Sequence, residues 1–217
     1  MKAYIFDLDG TLFDSRDVWH QVDIDFLQKR GLALPSDYED AISSMNFSEI
    51  AAYTIRRFSL PDSIEGLKQE WIDMAAYAYA HTVQMKPNAK KYLAALKERG
   101  AKLAVATTLS VELHTLALRK HGIYDLFDAV CTTDEAGCGK SRPDVFLLAA
   151  EKINAPPRDC LVFEDILAAV ISAKSAGMKT CGVYDKASEA EWEQIKQAAD
   201  YAIFDFGDAP TMISLDP

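Results

Sequence analysis

Asp7 and Asp9 stand two positions apart in Asp7-Leu8-Asp9-Gly10-Thr11-Leu12-Phe13-Asp14, where a short apolar run meets a glycine turn. Carboxylates this close repel each other, so an arrangement without purpose costs stability. A divalent cation relieves the repulsion, and hard cations take oxygen ligands. Alone, the pair also suits a solvated turn whose aspartates cap a helix. Val105-Ala106-Thr107-Thr108 ends a second apolar run in hydroxyls, which donate to a phosphate oxygen or cap the helix starting near Ser110. Gly139-Lys140-Ser141-Arg142-Pro143-Asp144 sets a lysine between a glycine and a proline-started helix. There it neutralises anionic charge or stands as an ordinary exposed residue; nothing fixes the direction of Arg142. Val162-Phe163-Glu164-Asp165 closes another apolar run with two acids, which also suit the positive end of a helix dipole. The combination decides between these readings. In order, the chain supplies two acids, a hydroxyl, a lysine and two acids, the set that phosphoryl transfer through a carboxylate nucleophile requires.

Strands must carry these groups. Segments 3–8, 102–107, 160–163 and 179–183 are short apolar runs rich in branched and aromatic residues, with weaker runs at 128–132 and 201–204. Helical patterns fall between them at 88–99, 110–121, 143–153 and 165–176, three of them stopped by Gly100, Gly122 and Gly177. Such alternation predicts an α/β fold, a Rossmann-like parallel sheet with helices on both faces. Ligands in such sheets bind outside the carboxyl ends of the strands, where the candidate residues lie.

Residues 15–86 break the alternation and carry no strand signal. Phe47, Ile50, Ala51, Thr54, Ile55 and Phe58 recur at helical spacing, as do Leu67, Trp71, Met74, Ala75 and Ala78. Trp19, Val22, Phe26 and Leu27 mark an earlier helix. Roughly seventy residues of helix exceed what a crossover needs. The expected organisation is an α/β catalytic core of residues 1–14 and 87–217 with an inserted all-helical cap domain, 15–86, entered through linkers at 13–16 and 84–88.

The chain has 217 residues, 49% of them hydrophobic, and a net charge of -10. That acidity argues against a nucleic-acid partner and against docking on an anionic membrane. No apolar run reaches the ~18 residues of a membrane span, and the N-terminal stretch does not read as a signal peptide. The four cysteines, Cys131, Cys138, Cys160 and Cys181, match no metal-binding spacing. A cytoplasmic location is the expectation, with Cys160 and Cys181 in the core. A monomer or weak dimer is expected, since no coiled-coil pattern is present. His114 and His121 read as capping or surface residues, and Trp71, Tyr77 and Tyr79 as packing within the helical segment.

The motifs DLDGTLFDS, ATT, GKSRPD and FED, in this order, resemble the haloacid dehalogenase-like hydrolase superfamily. The resemblance spans residues 3–204. It points to the branch with a helical cap after the first core strand, which includes phosphoglycolate phosphatases and β-phosphoglucomutases. By position it implies Asp7 as nucleophile and Asp9 as general acid and base. Thr107 becomes the phosphate-binding hydroxyl, Thr108 a further contact, and Lys140 the holder of nucleophile and phosphate. Mg2+ is implied on Asp7, Glu164 and Asp165, with the backbone carbonyl of Asp9. The implied activity is hydrolysis of a small phosphorylated metabolite, such as a sugar phosphate, through an aspartyl-phosphate. Ile166 and Ala169 stand where relatives often have serine and glycine or an acid, which thins the surroundings of the metal. Ser141 replaces the usual proline after the lysine.

Two other readings compete. A hexose-phosphate mutase of the β-phosphoglucomutase type usually has a histidine where this chain has Trp19, and His20 is one position late. The basic residue that such mutases use is also not evident at 44–49. A catalytically silent binding module typically loses a core acid, yet Asp7, Asp9, Lys140 and Asp165 are all present. Haloacid dehalogenases and phosphonatases lack an acid at the position of Asp9. Residues 43–48, Arg56 and Arg57 are the candidate substrate contacts in the cap.

Overall fold

The computed structural model describes residues 3–210, with Arg16 described by its backbone alone. Residues 1–2 and 211–217, which belong to the expected core segments, lie outside the described residues. In chain order the elements are β1 (Ala3–Phe6), β2 (Phe13–Asp14), α1 (Arg16–Gln28), α2 (Tyr38–Ile42), α3 (Phe47–Phe58), α4 (Ile64–His81) and β3 (Gln84–Met85). There follow α5 (Ala89–Glu98), β4 (Lys102–Thr107), α6 (Val111–Lys120), β5 (Ala129–Thr132), α7 (Thr133–Ala136) and α8 (Asp144–Lys152). The last are β6 (Cys160–Glu164), α9 (Leu167–Ser175), β7 (Lys179–Val183), α10 (Trp192–Ala198) and β8 (Tyr201–Ile203).

Six strands form one parallel sheet in the order β5-β4-β1-β6-β7-β8. Every residue of β1 and β6 is buried, because helices cover both faces of the sheet. Alternate side chains go to opposite faces. Tyr4, Phe6, Leu103, Val105, Leu161 and Phe163 join one apolar cluster with residues of α5 and α6. Ala3, Ile5, Ala104, Ala106, Cys160 and Val162 join a second with residues of α8 and α9. The strand order reverses about β1, so the carboxyl ends of β4, β1 and β6 meet at the switch point where such sheets bind ligands. The two weak strand patterns belong to the edge strands β5 and β8, which are partly exposed and therefore less apolar. All four cysteines are buried and free.

Between β2 and β3 the chain is helical. Asn46 and Glu49 start α3 with a reciprocal capping box: the Asn46 side chain accepts the Glu49 N–H at 2.7 Å, and the Glu49 carboxylate accepts the Asn46 N–H at 2.8 Å. Phe47 and Ala51 of α3 and Leu67, Trp71 and Ala75 of α4 turn inward and join the cluster that covers β1. α4 also packs against α6. One expectation fails here: Gln84–Met85 is a strand, paired antiparallel to Phe13–Asp14 with Phe13 opposite Met85. A two-residue strand is too short to display a period of two. The stretches read as linkers therefore meet each other.

Two side-chain expectations also change. His114 is neither capping nor superficial; it is buried, and burial pushes its imidazole down to about 4. Tyr77 is 70% exposed and packs little, whereas Trp71 lies against Phe26 and Phe47 as expected.

Asp23 on α1 is buried, and this burial, reinforced by Glu39 and opposed by His20, pushes its carboxyl up to about 7. Between about pH 4 and pH 7 the folded chain holds a proton there that the unfolded chain releases. Stability from this group is thus present at low pH and is lost as pH rises. Asp23→Asn removes the titration, so the variant should gain on the native protein by about 4 kcal/mol between pH 4 and pH 8. Denaturant unfolding at both pH values measures the difference. His114, depressed to about 4, has the opposite sign but is common to both proteins and cancels. Parallel stability curves for variant and native chain would refute this.

Candidate active site

Asp7 follows β1 directly, and its N–H continues the ladder to the Phe163 carbonyl at 3.1 Å. The chain then turns back on itself: the N–H groups of Leu12 and Phe13 both reach the Leu8 carbonyl, at 2.9 and 2.8 Å. Gly10 makes the turn at φ +79°, and a Cβ on it would stand 2.2 Å from Asp165 Oδ2. Only glycine fits both the left-handed backbone and the approach of Asp165. Thr11, buried beside it, donates to Asp165 Oδ1 at 3.1 Å.

Lys140 reaches across from the loop between α7 and α8. Its ammonium contacts Asp7 Oδ1 and lies 2.5 Å from Glu164 Oε1. Burial works against its charge, but Asp7 and Glu164 outweigh it and hold the ammonium above the ordinary lysine range. Ser141 in place of proline does not prevent this contact, because Ser172 of α9 holds the Lys140 carbonyl at 2.6 Å. Gly139 lies against the segment between α2 and α3, where a Cβ would meet the Ser44 carbonyl oxygen at 2.1 Å. That brings part of 43–48 against the Lys140 loop. Arg56 is exposed and Arg57 pairs with Asp37 at 2.6 Å. Arg142 turns outward to Asp144.

The carboxylates of Asp7, Glu164 and Asp165 offer oxygens within 4.8 Å of one another, all buried. Burial, followed by the charges of Asp7, Glu164 and Asp185, pushes the Asp165 carboxyl well above its ordinary range. Burial likewise raises Glu164, against the pull of Lys140. Three acids with one ammonium leave excess negative charge in a dry site, and an all-oxygen anionic set fits a hard divalent cation. Ile166 and Ala169 bring no oxygen-bearing side chain, and Thr11 serves Asp165 instead.

The expected metal set takes only the backbone carbonyl of Asp9, and its side chain lies elsewhere. Its carboxylate is absent from this group and turns toward the helical segment. Ser15 and Tyr79 each donate to Oδ1 at 2.6 Å, and the Trp19 indole N–H lies 3.1 Å from Oδ2. Burial pushes Asp9 up to about 6, with Asp7 adding to the rise and these three hydrogen bonds opposing it. Thr107 is buried, and its hydroxyl accepts the Leu109 N–H at 3.1 Å, leaving its proton to donate. Thr108 is half-buried and lines a pocket of about 210 Å³ with Lys68, Gln69 and Ser110. A larger cleft of about 500 Å³ beside Val18, Gln21 and Met74 has none of the site acids on its walls. Asp7 and Lys140 are each 4% exposed, too little for a phosphate to enter without movement of the elements above.

Asp7, Lys140, Glu164 and Asp165 thus meet, whereas Trp19 and Tyr79 read in the sequence only as helix packing and Ser15, Ser172 and Asp185 carried no signal as site residues. Tyr79 looked like packing because its ring is packed; only its hydroxyl reaches Asp9. Asp185, past the end of β7, is buried and pairs at 2.5 Å with Lys86, which follows β3. Nothing local in the sequence marks either contact.

Fold and site together define an α/β protein with a buried acidic cluster at the carboxyl ends of a parallel sheet. The chain belongs to the haloacid dehalogenase-like hydrolase family, whose model matches residues 1–177. It is 27% identical over 179 residues to a phosphorylated carbohydrates phosphatase of Thermotoga maritima, covering 82% of this chain and 83% of that one. CbbY from Rhodobacter sphaeroides, solved in complex with phosphate, superposes with a TM-score of 0.85 at 22% identity over 96% of both chains. A β-phosphoglucomutase from Clostridium difficile gives a TM-score of 0.80 at 19% identity, covering 97% of this chain and 93% of that one. At these identities the two structures speak for the fold alone. Among the described residues no helix is long and apolar enough to cross a membrane.

Proposed function

We propose that this protein is a Mg2+-dependent phosphomonoester hydrolase that works through an aspartyl-phosphate on Asp7. The observation that carries this reading is the contact of Lys140 with Asp7 inside the buried acid cluster. Asp7, Glu164 and Asp165, with the backbone carbonyl of Asp9, would hold the cation. When bound, Mg2+ supplies the charge that screens the nucleophile from the phosphate and stabilises the transition state.

The Asp7 carboxylate attacks phosphorus in line, forming an O–P bond as the bond to the leaving oxygen breaks. Asp9 gives its proton to that oxygen. It then takes a proton from the water that attacks the aspartyl-phosphate, which releases phosphate and restores Asp7. Lys140 and the Thr107 and Thr108 hydroxyls steady the transferring oxygens. An acid near 6 serves both proton transfers close to neutral pH. Residues 15–86 act as the cap, opening to admit substrate and closing to exclude water.

The substrate is a small phosphorylated metabolite, in keeping with the Thermotoga relative's name, and a sugar phosphate is the leading class. A mutase remains the runner-up on fold alone, with Trp19 where that branch usually has histidine. The enzyme works in the cytoplasm as a monomer or weak dimer, without nucleic acid or membrane.

Phosphate release from an aryl phosphate tests the reading. A chelator should cut the rate about a hundredfold or more, the equivalent of several kcal/mol of charge stabilisation, and added Mg2+ should restore it. A rate indifferent to chelation would sink the metal-dependent mechanism.

A further inference from the structure

The carboxylate of Asp9 is gripped from the helical segment rather than from the sheet. Trp19 lies in the first turns of α1 and Tyr79 in the last turn of α4. The Trp19 N–H lies 2.7 Å from the Tyr79 oxygen and 3.1 Å from Asp9 Oδ2. The Tyr79 hydroxyl spends its one proton on Asp9 Oδ1 at 2.6 Å, so toward Trp19 it can only accept. The indole N–H is thereby shared between phenol and carboxylate. The Tyr79 ring is fully buried, and the Trp19 ring packs edge-on against Phe47 of α3. Neither polar tip can swing away while the helices stay packed.

We infer that Trp19 and Tyr79 are positioning residues for the proton-transfer step, orienting the Asp9 carboxylate only while α1 and α4 are seated over the site. The inference rests on the phosphatase reading above. An aspartate on a turn rotates freely about its side-chain torsions, and a proton donor misplaced by an ångström loses much of its effect. Ser15 alone fixes one oxygen and leaves rotation about the other. The Tyr79 hydroxyl adds a second contact to Oδ1 and the Trp19 indole holds Oδ2, and together they set the plane of the carboxylate.

A proton donor matters when the leaving oxygen departs as a poor anion and hardly matters when it departs as a stabilised one. The test therefore compares kcat/KM, which reports steps up to phosphoryl transfer, on an alkyl phosphate and on 4-nitrophenyl phosphate, both with Mg2+. Tyr79→Phe keeps the ring and removes the hydroxyl; Trp19→Phe removes the indole N–H. Each should lower kcat/KM on the alkyl ester about ten- to a hundredfold, part of the range for general acid catalysis, and on the aryl ester less than about threefold. Asp9→Asn sets the full scale of the same pattern. Retained turnover of the aryl ester shows that the variants are folded. Equal losses on both esters, or no loss on either, overturn the inference while the phosphatase reading stands. A native protein that hydrolyses neither ester overturns both.

Discussion

Asp7→Asn should lower phosphate release by about 10⁴-fold or more, the scale seen when an enzyme loses its nucleophile. Asparagine has the shape of aspartate, so the turn at Gly10 and the ladder bond to Phe163 should persist. What it lacks is an anionic oxygen able to bond to phosphorus, and no neighbour replaces it. Glu164 is occupied by Lys140 and by the Asp165 N–H at 3.2 Å, while Asp165 accepts from Thr11. The substitution should leave the cation-free fold at least as stable as the native one. It removes one of three buried carboxylates that repel one another, and Lys140 keeps Glu164 as a partner. Steady-state rates and melting temperatures, measured side by side, separate the two effects. A rate above about one per cent of native would exclude Asp7 as the nucleophile.

Lys140→Met should damage both rate and fold. Methionine keeps much of the stem's volume but removes the ammonium from a site where the side chain is 5% exposed. Asp7 and Glu164 then lie buried without their cation, and stripping one partner from a buried ion pair typically costs about 3–5 kcal/mol. The transferring phosphate loses a charged donor as well, worth about 10²–10³ in rate. Denaturant unfolding without metal reads the first loss and turnover at saturating Mg2+ the second. Arginine should not restore activity, because its broad planar group does not fit the space of an ammonium held between two carboxylates. Native-like turnover by Lys140→Met would remove Lys140 from the mechanism.

The two variants differ in their effect on stability because the site is a charge balance as well as a reaction centre. Removing an acid relaxes it and removing the base strains it. The same balance explains why burial raises Asp165 and Glu164 in the absence of a cation. Such strain at a functional site is offset elsewhere, here by two apolar clusters on the faces of the sheet.

Much of this was legible in the chain. The buried strands are continuous apolar runs because both faces are covered, and their ends carry Asp7, Thr107, Glu164 and Asp165 in plain view. The helices around them stop at glycines whose positive φ suits a helix end. Lys140 was legible by type and neighbours, and its reach to Asp7 followed only from the family resemblance, since no local pattern carries it. The helical segment was legible as period and length, but its short ribbon was not, since β2 and β3 each span two residues.

By itself, then, the sequence determined the sheet, the order of the strand ends and the kinds of group presented there. These depend on local periods and turns, which neighbouring residues encode. Tertiary structure alone decided which groups touch. Thr11 serves Asp165 across 154 positions, Tyr79 reaches Asp9 across 70, and His114 is buried rather than superficial. Contacts between residues so distant along the chain depend on how all the intervening elements pack, and no local pattern carries that information.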